Sequence, residues 1–254
     1  MKLIFILIIV FLLPLNTFAR NKGETEITTE DGIEVYQNEK FYLLKKNVKI
    51  VSDNFTLNAD NVKINFDKSL YDITILDAKG NVKFVSQISN TEGSGATLNF
   101  EIKKEKLKVE GENSKLITND IEMFSDGFIE VNNITGEFFL KGLNSKLRNE
   151  NIIIRGFSID GIFSNNNDIK EIIYLNVSDE KISYIKNNDT EMYAKKINFD
   201  SSISRIELFD EVTIIRNDEK ITGDYGTLDT KNNSYKIKSN NQNNVKVIIK
   251  NNEQ

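Results

Sequence analysis

The chain has 254 residues, of which 39% are hydrophobic and 28% charged, with one proline and no cysteine, histidine or tryptophan. Without imidazole or thiol there is no Ser-His-Asp triad, no Cys/His zinc site and no thiol redox chemistry, so the starting reading is a non-enzyme with no cofactor and no metal. The 33 basic and 38 acidic residues are interspersed at a net charge of −5, which lacks the basic footprint of nucleic-acid binding.

The first segment differs in kind from the rest. Lys2 precedes an apolar run from Leu3 to Leu15 that contains Pro14, followed by Asn16, Thr17, Phe18 and Ala19. A positive start, a short apolar centre and small residues at Thr17 and Ala19 form a signal peptide over residues 1–19, cleaved after Ala19. As a helix the run reaches only about 20 Å, short of a bilayer core of roughly 30 Å. A retained membrane anchor is the rival reading. Cleavage directs the protein out of the cytoplasm, and the loss of Lys2 takes the net charge from −5 to −6.

From Ile27 onward the apolar period is two. Phe55, Leu57 and Ala59 alternate with polar residues, then Val62, Ile64 and Phe66, then Ile73 and Ile75. The pattern continues in Val82 and Phe84, Leu98 and Phe100, Leu107 and Val109. Strands with one buried face read this way, whereas parallel strands covered on both faces read as continuous apolar runs. The fold class is therefore all-β and antiparallel. Turn residues recur at short intervals: Asp53-Asn54, Asp67-Lys68, Lys79 to Asn81, Glu92 to Gly95, Gly111 to Ser114, Asn165 to Asp168, Asn187 to Asp189, Asn217-Asp218 and Lys231 to Ser234. This spacing predicts many short hairpin-linked strands. The lone proline lies in the leader, so no proline guards the sheet edges.

An internal repeat organises the chain. Ile64 to Asp67 reads INFD, and Ile197 to Asp200 repeats it. Ile73, Ile75 and Leu76 fall opposite Ile206, Leu208 and Phe209; Val82 and Phe84 fall opposite Val212 and Ile214. The copies run from about 47 to 110 and from 182 to 240, with poorly aligning strands between them. No flexible linker separates them, so residues 20–240 are expected to share one core. The Asn-rich tail, 241–254, is an edge strand or disordered.

The repeated unit resembles the LptA/OstA-like lipopolysaccharide-transport proteins of Gram-negative bacteria. The resemblance rests on Asp31 to Gln37, Ala59 to Asp67, Ala78 to Phe84, Gly93 to Phe100, Leu107 to Gly111, Val212 to Ile215 and Ile221 to Thr230, in order and twice over. It implies a curved, twisted β-jellyroll with an apolar groove that holds lipopolysaccharide acyl chains. It also implies a periplasmic bridge between inner- and outer-membrane components, with head-to-tail self-association, serving outer-membrane biogenesis.

On that resemblance the candidate groove residues are Val48, Ile50, Phe55, Leu57, Val62, Ile64, Phe66, Ile73, Ile75, Val82, Phe84, Leu98 and Phe100. The second copy adds Ile197, Phe199, Ile206, Leu208, Val212 and Ile214. For each of them taken singly ordinary sheet core is the favoured reading, and only those near an opened seam would meet lipid. Candidate assembly edges are Ile33, Val35 and Tyr36 at one end and Val245, Val247 and Ile249 at the other. The lysines at 45, 46, 49, 103, 104, 106 and 108 read as solvated strand faces, with a phosphate contact as the alternative. No residue is assigned a catalytic role. Two other readings stand beside the bridge: an inner-membrane-anchored partner of the same export pathway, and a structural or adhesive β-solenoid without a lipid.

Overall fold

The computed structural model describes residues 20–69, 72–119, 121–149, 152–164, 171–240 and 244–249. The expected signal peptide and the Asn165–Asp168 turn lie outside them. Eighteen strands follow in chain order. They are β1 (Glu26–Thr28), β2 (Ile33–Tyr36), β3 (Phe41–Val51), β4 (Phe55–Phe66), β5 (Ile73–Ser86), β6 (Thr91–Glu101), β7 (Lys106–Glu110), β8 (Ser114–Thr118) and β9 (Ile121–Ser125). Then come β10 (Phe128–Asn132), β11 (Glu137–Arg148), β12 (Ile152–Phe163), β13 (Ile172–Asn187), β14 (Thr190–Asp200), β15 (Arg205–Arg216), β16 (Glu219–Asp229), β17 (Ser234–Lys238) and β18 (Lys246–Ile249). Every pairing is antiparallel, and a single 3-10 turn, Ile102–Lys104, is the one helical element among the described residues.

The strands are longer than the turn spacing predicts because most of them are bent in the middle. Pairing register shifts between Lys45 and Val48 in β3, Asn58 and Asn61 in β4, Lys79 and Val82 in β5, and Lys141 and Ser145 in β11. It shifts again between Arg155 and Ser158 in β12, Ser178 and Ser183 in β13, Tyr193 and Lys196 in β14, and Phe209 and Val212 in β15. A bulge bends its strand and sharpens its twist. Aligned across neighbouring strands, these bulges make one fold line that creases the whole sheet into two layers.

Short strands complete each layer. Along its outer edge β3 pairs with β2 at one end and β1 at the other. In the same way β6 pairs with β7 and β8, β11 with β10 and β9, and β16 with β17 and β18. One layer therefore holds β1, β8, β9 and β18 with one half of each long strand, and the other holds β2, β7, β10 and β17 with the other half. This crease is the β-jellyroll. Lys79 to Asn81 and Glu92 to Gly95, expected as turns, lie inside β5 and β6; the hairpin between those strands is Gln87 to Asn90.

The residues of the crease explain how it forms. Lys46 and Asn47, Gly80 and Asn81, and Asp210 and Glu211 are successive left-handed pairs. Inside the crease the side chains are small: Ala59, Gly95, Ser114, Ser125, Ser145, Gly156, Ser183 and Ala194. A Cβ on Gly95 would sit 2.5 Å from Val109 Cγ1 of the facing layer. Four buried hydroxyls donate to carbonyls in this region: Ser114 to Gly111, Ser125 to Lys141, Ser145 to Gly142 and Ser183 to Lys195, at 2.7 to 3.2 Å. They satisfy backbone acceptors that the bulges remove from the ladder.

Between the layers lies one apolar cluster that runs from Leu44 in β3 to Leu228 in β16. Each Leu, Ile, Val or Phe taken from water contributes about 1.5–3 kcal/mol, so the shared interior holds the layers together in the absence of disulfides.

Candidate functional site: an apolar trough and its mouth

Opposite the crease, the two layers end in two rows of hairpins. The β1-layer row includes the turns at 52–54, 87–90, 188–189 and 217–218; the β2-layer row includes those at 37–40, 102–105, 201–204 and 230–233. The gap between the rows is the mouth of a trough. Side chains become more accessible toward it: Leu57, Leu98 and Ile154 at mid-strand are sealed, while Phe55, Phe100 and Ile152 are half-buried.

The structure puts Val48, Ile50, Leu57, Val62, Ile64, Phe66, Val82, Phe84 and Leu98 on the inner face, all buried. Ile197, Phe199, Ile206, Leu208, Val212 and Ile214 lie there too. Phe55, Ile73 and Phe100 pack half-buried against this set.

Ile75 does not belong with them. It pairs with Asn65 and Glu101 on the outer face, and Leu76 takes the inward place, opposite Ile64 and Phe100. The cause is an extra residue between Ile73 and Ile75: Phe66 pairs with Ile73 but Asn65 with Ile75. A one-residue slip moves every following side chain to the other face. Between β14 and β15, Phe199 pairs with Ile206 and Ile197 with Leu208 without that interruption.

A small cavity opens at the mouth beside β5 and β8, while wider surface grooves lie along β15 to β18. The cavity, between the layers, has about 50 Å³ open to water-sized molecules within about 450 Å³ of unfilled space that includes solvent at its opening. Its walls are Phe55, Phe84 and Leu116 from one layer and Phe100, Leu107 and Val131 from the other, with Ser86, Ser89, Thr91, Thr118 and Asn133 at the polar edge. The Thr91 hydroxyl donates to that of Thr118 at 3.0 Å. Leu107, Leu116 and Val131 are absent from the sequence-based candidates. Leu107 and Val131 alternate as clearly as the residues chosen, but facing across the trough is not written in either strand alone.

The six edge candidates divide. Ile33 and Val35 pair with Leu44 and Tyr42 and continue the inner face to one open end; Val247 and Ile249 pair with Ile221 and Glu219 and continue it to the other. All four are about half exposed or more. Tyr36 turns to the outer face and stacks on Phe41 at 4.5 Å, and Val245 precedes β18.

Three of the candidate lysines are paired on the outer faces of the sheet. Lys45 bonds Glu34 at 2.6 Å, Lys106 bonds Glu130 at 2.9 Å and Lys108 bonds Glu110 at 2.5 Å. The Glu34 carboxylate holds the Lys45 ammonium above its usual range, and Lys45 in turn lowers Glu34. These lysines are neutralised within the sheet. At the β17 end, the Glu219 carboxylate accepts from the Tyr235 hydroxyl and raises that phenol above its ordinary range. Among the described residues no group of His, Cys, Asp or Glu could hold a metal, and no helix is long and apolar enough to cross a membrane.

A creased antiparallel sheet enclosing an apolar trough defines an all-β protein of the β-jellyroll class. The chain belongs to the family whose model is described as LptA/(LptD N-terminal domain) LPS transport protein, which matches residues 26–156. It is thus a lipopolysaccharide transport protein and not an enzyme. Among solved structures it is similar to LptH, described as the LptA homologous periplasmic component of the conserved lipopolysaccharide transport device from Pseudomonas aeruginosa. That likeness covers 90% of this chain and 96% of LptH, at 9% identity and a TM-score of 0.23. No curated protein matches the chain.

Proposed function

We propose that the protein is a periplasmic bridge that carries lipopolysaccharide between the inner and outer membranes, with acyl chains held between the two layers. Family membership supplies the ligand class. The observation that carries the reading is the continuous apolar cluster between the layers from Leu44 in β3 to Leu228 in β16, which Ile33 and Val35 extend toward one open end and Val247 toward the other. An acyl chain in water costs about 0.8 kcal/mol per methylene, and a continuous apolar face offsets that cost along the whole path. Enclosed ligand pockets measure roughly 300–1,000 Å³, far above the roughly 50 Å³ enclosed at the mouth, so the layers part when chains enter. The inner-face residues named above are then both core and lining.

Two open ends also suit edge-to-edge pairing of successive copies, and with the inner- and outer-membrane components, through β1 and β2 at one end and β17 and β18 at the other. In this reading the signal peptide is cleaved after Ala19, and residues 20–240 act as one trough built on two related copies.

Photo-crosslinking residues at Phe100 and Phe55 should capture lipopolysaccharide, with weaker capture from the sealed Leu208. Crosslinks to protein alone from all three positions would overturn acyl-chain binding. Mass spectrometry of the exported chain should find Arg20 at the N-terminus.

A further inference from the structure

At the β17 end the mouth is bridged. Arg216 closes β15 in one layer, and its guanidinium donates to the carbonyl of Asn233 in the β16–β17 turn of the facing layer, at 2.9 Å. Beside it, the Tyr235 hydroxyl of β17 donates to Glu219 of β16, again from one layer to the other. Arg216 and Glu219 are themselves paired across their hairpin. Both follow the inward parity of Ile214 and Ile221. Four groups thus form a square over the gap, where the corresponding rim at the cavity carries Phe55, Ser86 and Thr91.

Arg216 and Glu219 are half-buried at this end, and the side-chain hydrogen bond of each runs to the opposite layer. A hydrogen bond to a charged group contributes more than a neutral one and has a defined geometry. Tyr235 also packs its ring on the shared core, so its hydroxyl is aimed rather than free.

We infer that Arg216 with Asn233 and Tyr235 with Glu219 form a latch that holds the two layers together at the β17 end, so that the trough opens first near its cavity and last at this end. The latch follows from the geometry of the free protein. Its consequence, that lipid leaves toward the β17 end only when the latch is undone, rests on the transport reading above.

Spin labels on Asp218 and Lys231, which flank the latch on opposite rims, report its width by double electron–electron resonance without any lipid. A second pair on Asn54 and Lys68 reports the mouth at the other end. In Tyr235→Phe, and more so in Arg216→Ala with Tyr235→Phe, the 218–231 distance should lengthen and broaden while the 54–68 distance stays put. An unchanged 218–231 distribution overturns the latch, as does equal widening of both pairs, which would mean general loosening. If the double variant fails to fold, Tyr235→Phe alone decides, because it removes one hydroxyl and keeps the ring. Loss of crosslinking to lipopolysaccharide with the latch distances as expected would instead count against the transport reading.

Discussion

Ser125 and Ser145 meet hydroxyl to hydroxyl, 3.1 Å apart, on the inner side of the crease between β9 and β11. The Lys141 carbonyl lies within bonding distance of Ser125 and that of Gly142 within reach of Ser145, so two hydroxyl protons are shared among these three contacts at the β11 bulge. Ser145→Ala leaves a buried carbonyl and the Ser125 hydroxyl with one partner fewer, and should cost about 1–3 kcal/mol. Ser145→Leu should cost more, because the crease has no room for it. Urea denaturation of each variant measures the loss; a value near zero for Ser145→Leu would mean the crease is not close-packed.

Gly80 has a φ of +78°, and a Cβ added to it would overlap the Asp60 carboxylate, which accepts from the Asn81 amide. Gly80→Ala should therefore destabilise through both backbone and contact, by about 1–3 kcal/mol. In an Asp60→Ala background the same change should cost less, since only the backbone part remains. Equal losses in the two backgrounds would show that the contact is absent.

Leu140 and Leu116 are both fully buried, but only Leu116 borders the cavity. Leu140 is fully buried at mid-trough, and Leu140→Ala should cost about 2–5 kcal/mol through a cavity that cannot collapse. Leu116 lines the existing cavity, so Leu116→Ala enlarges a space that already opens to solvent and should cost less. Binding of a fluorescent acyl probe should survive Leu116→Ala and fall with Phe100→Asp, as read by probe emission.

Acid should release the segment before β1. Asp53 accepts from the Arg20 guanidinium at 2.5 Å and from the Gly23 N–H at 2.7 Å. These bonds, that to Arg20 foremost, hold its carboxyl below the ordinary 3.8. A lowered carboxyl stabilises the folded segment above its ordinary value and loses that contribution as pH falls from 3.8 through its lowered value. Amide exchange at Gly23 should accelerate in that window, and Asp53→Asn should abolish the pH dependence. A carboxyl midpoint at or above 3.8 by NMR would refute the pairing.

Ile33→Lys and Val247→Lys place a charge on inward edge positions that are already about half exposed. Both variants should keep their circular dichroism and melting behaviour. Under the bridge reading each should reduce self-association in sedimentation velocity, since charge on an edge strand opposes pairing. Undiminished association would move the contact away from these edges.

Much of this fold was legible in the chain, and the reason is local. Alternation at Phe55 to Ala59 or Val82 to Phe84 states which side chains share a face, because a strand's period of two acts on neighbours only. The errors also have a local cause. Lys79-Gly80-Asn81 carries the residues of a turn, and its left-handed pair does reverse backbone curvature, but inside a strand that continues. Ile75 was matched to Leu208 by spacing, and one extra residue beside Thr74 turned it outward. Ser114 reads as the end of a turn, and with Ser125, Ser145 and Ser183 it serves as a buried hydroxyl in the crease.

By itself, then, the sequence determined that the described chain is antiparallel β and that it holds no imidazole or thiol, since each of these depends on composition or on residues a few positions apart. Tertiary structure alone decided that the strands crease along one line, that Phe55 and Phe100 face each other across a mouth, and that Arg216 reaches Asn233 from the opposite layer. Those relations join residues through space, and no period within a single strand encodes which layer it will meet.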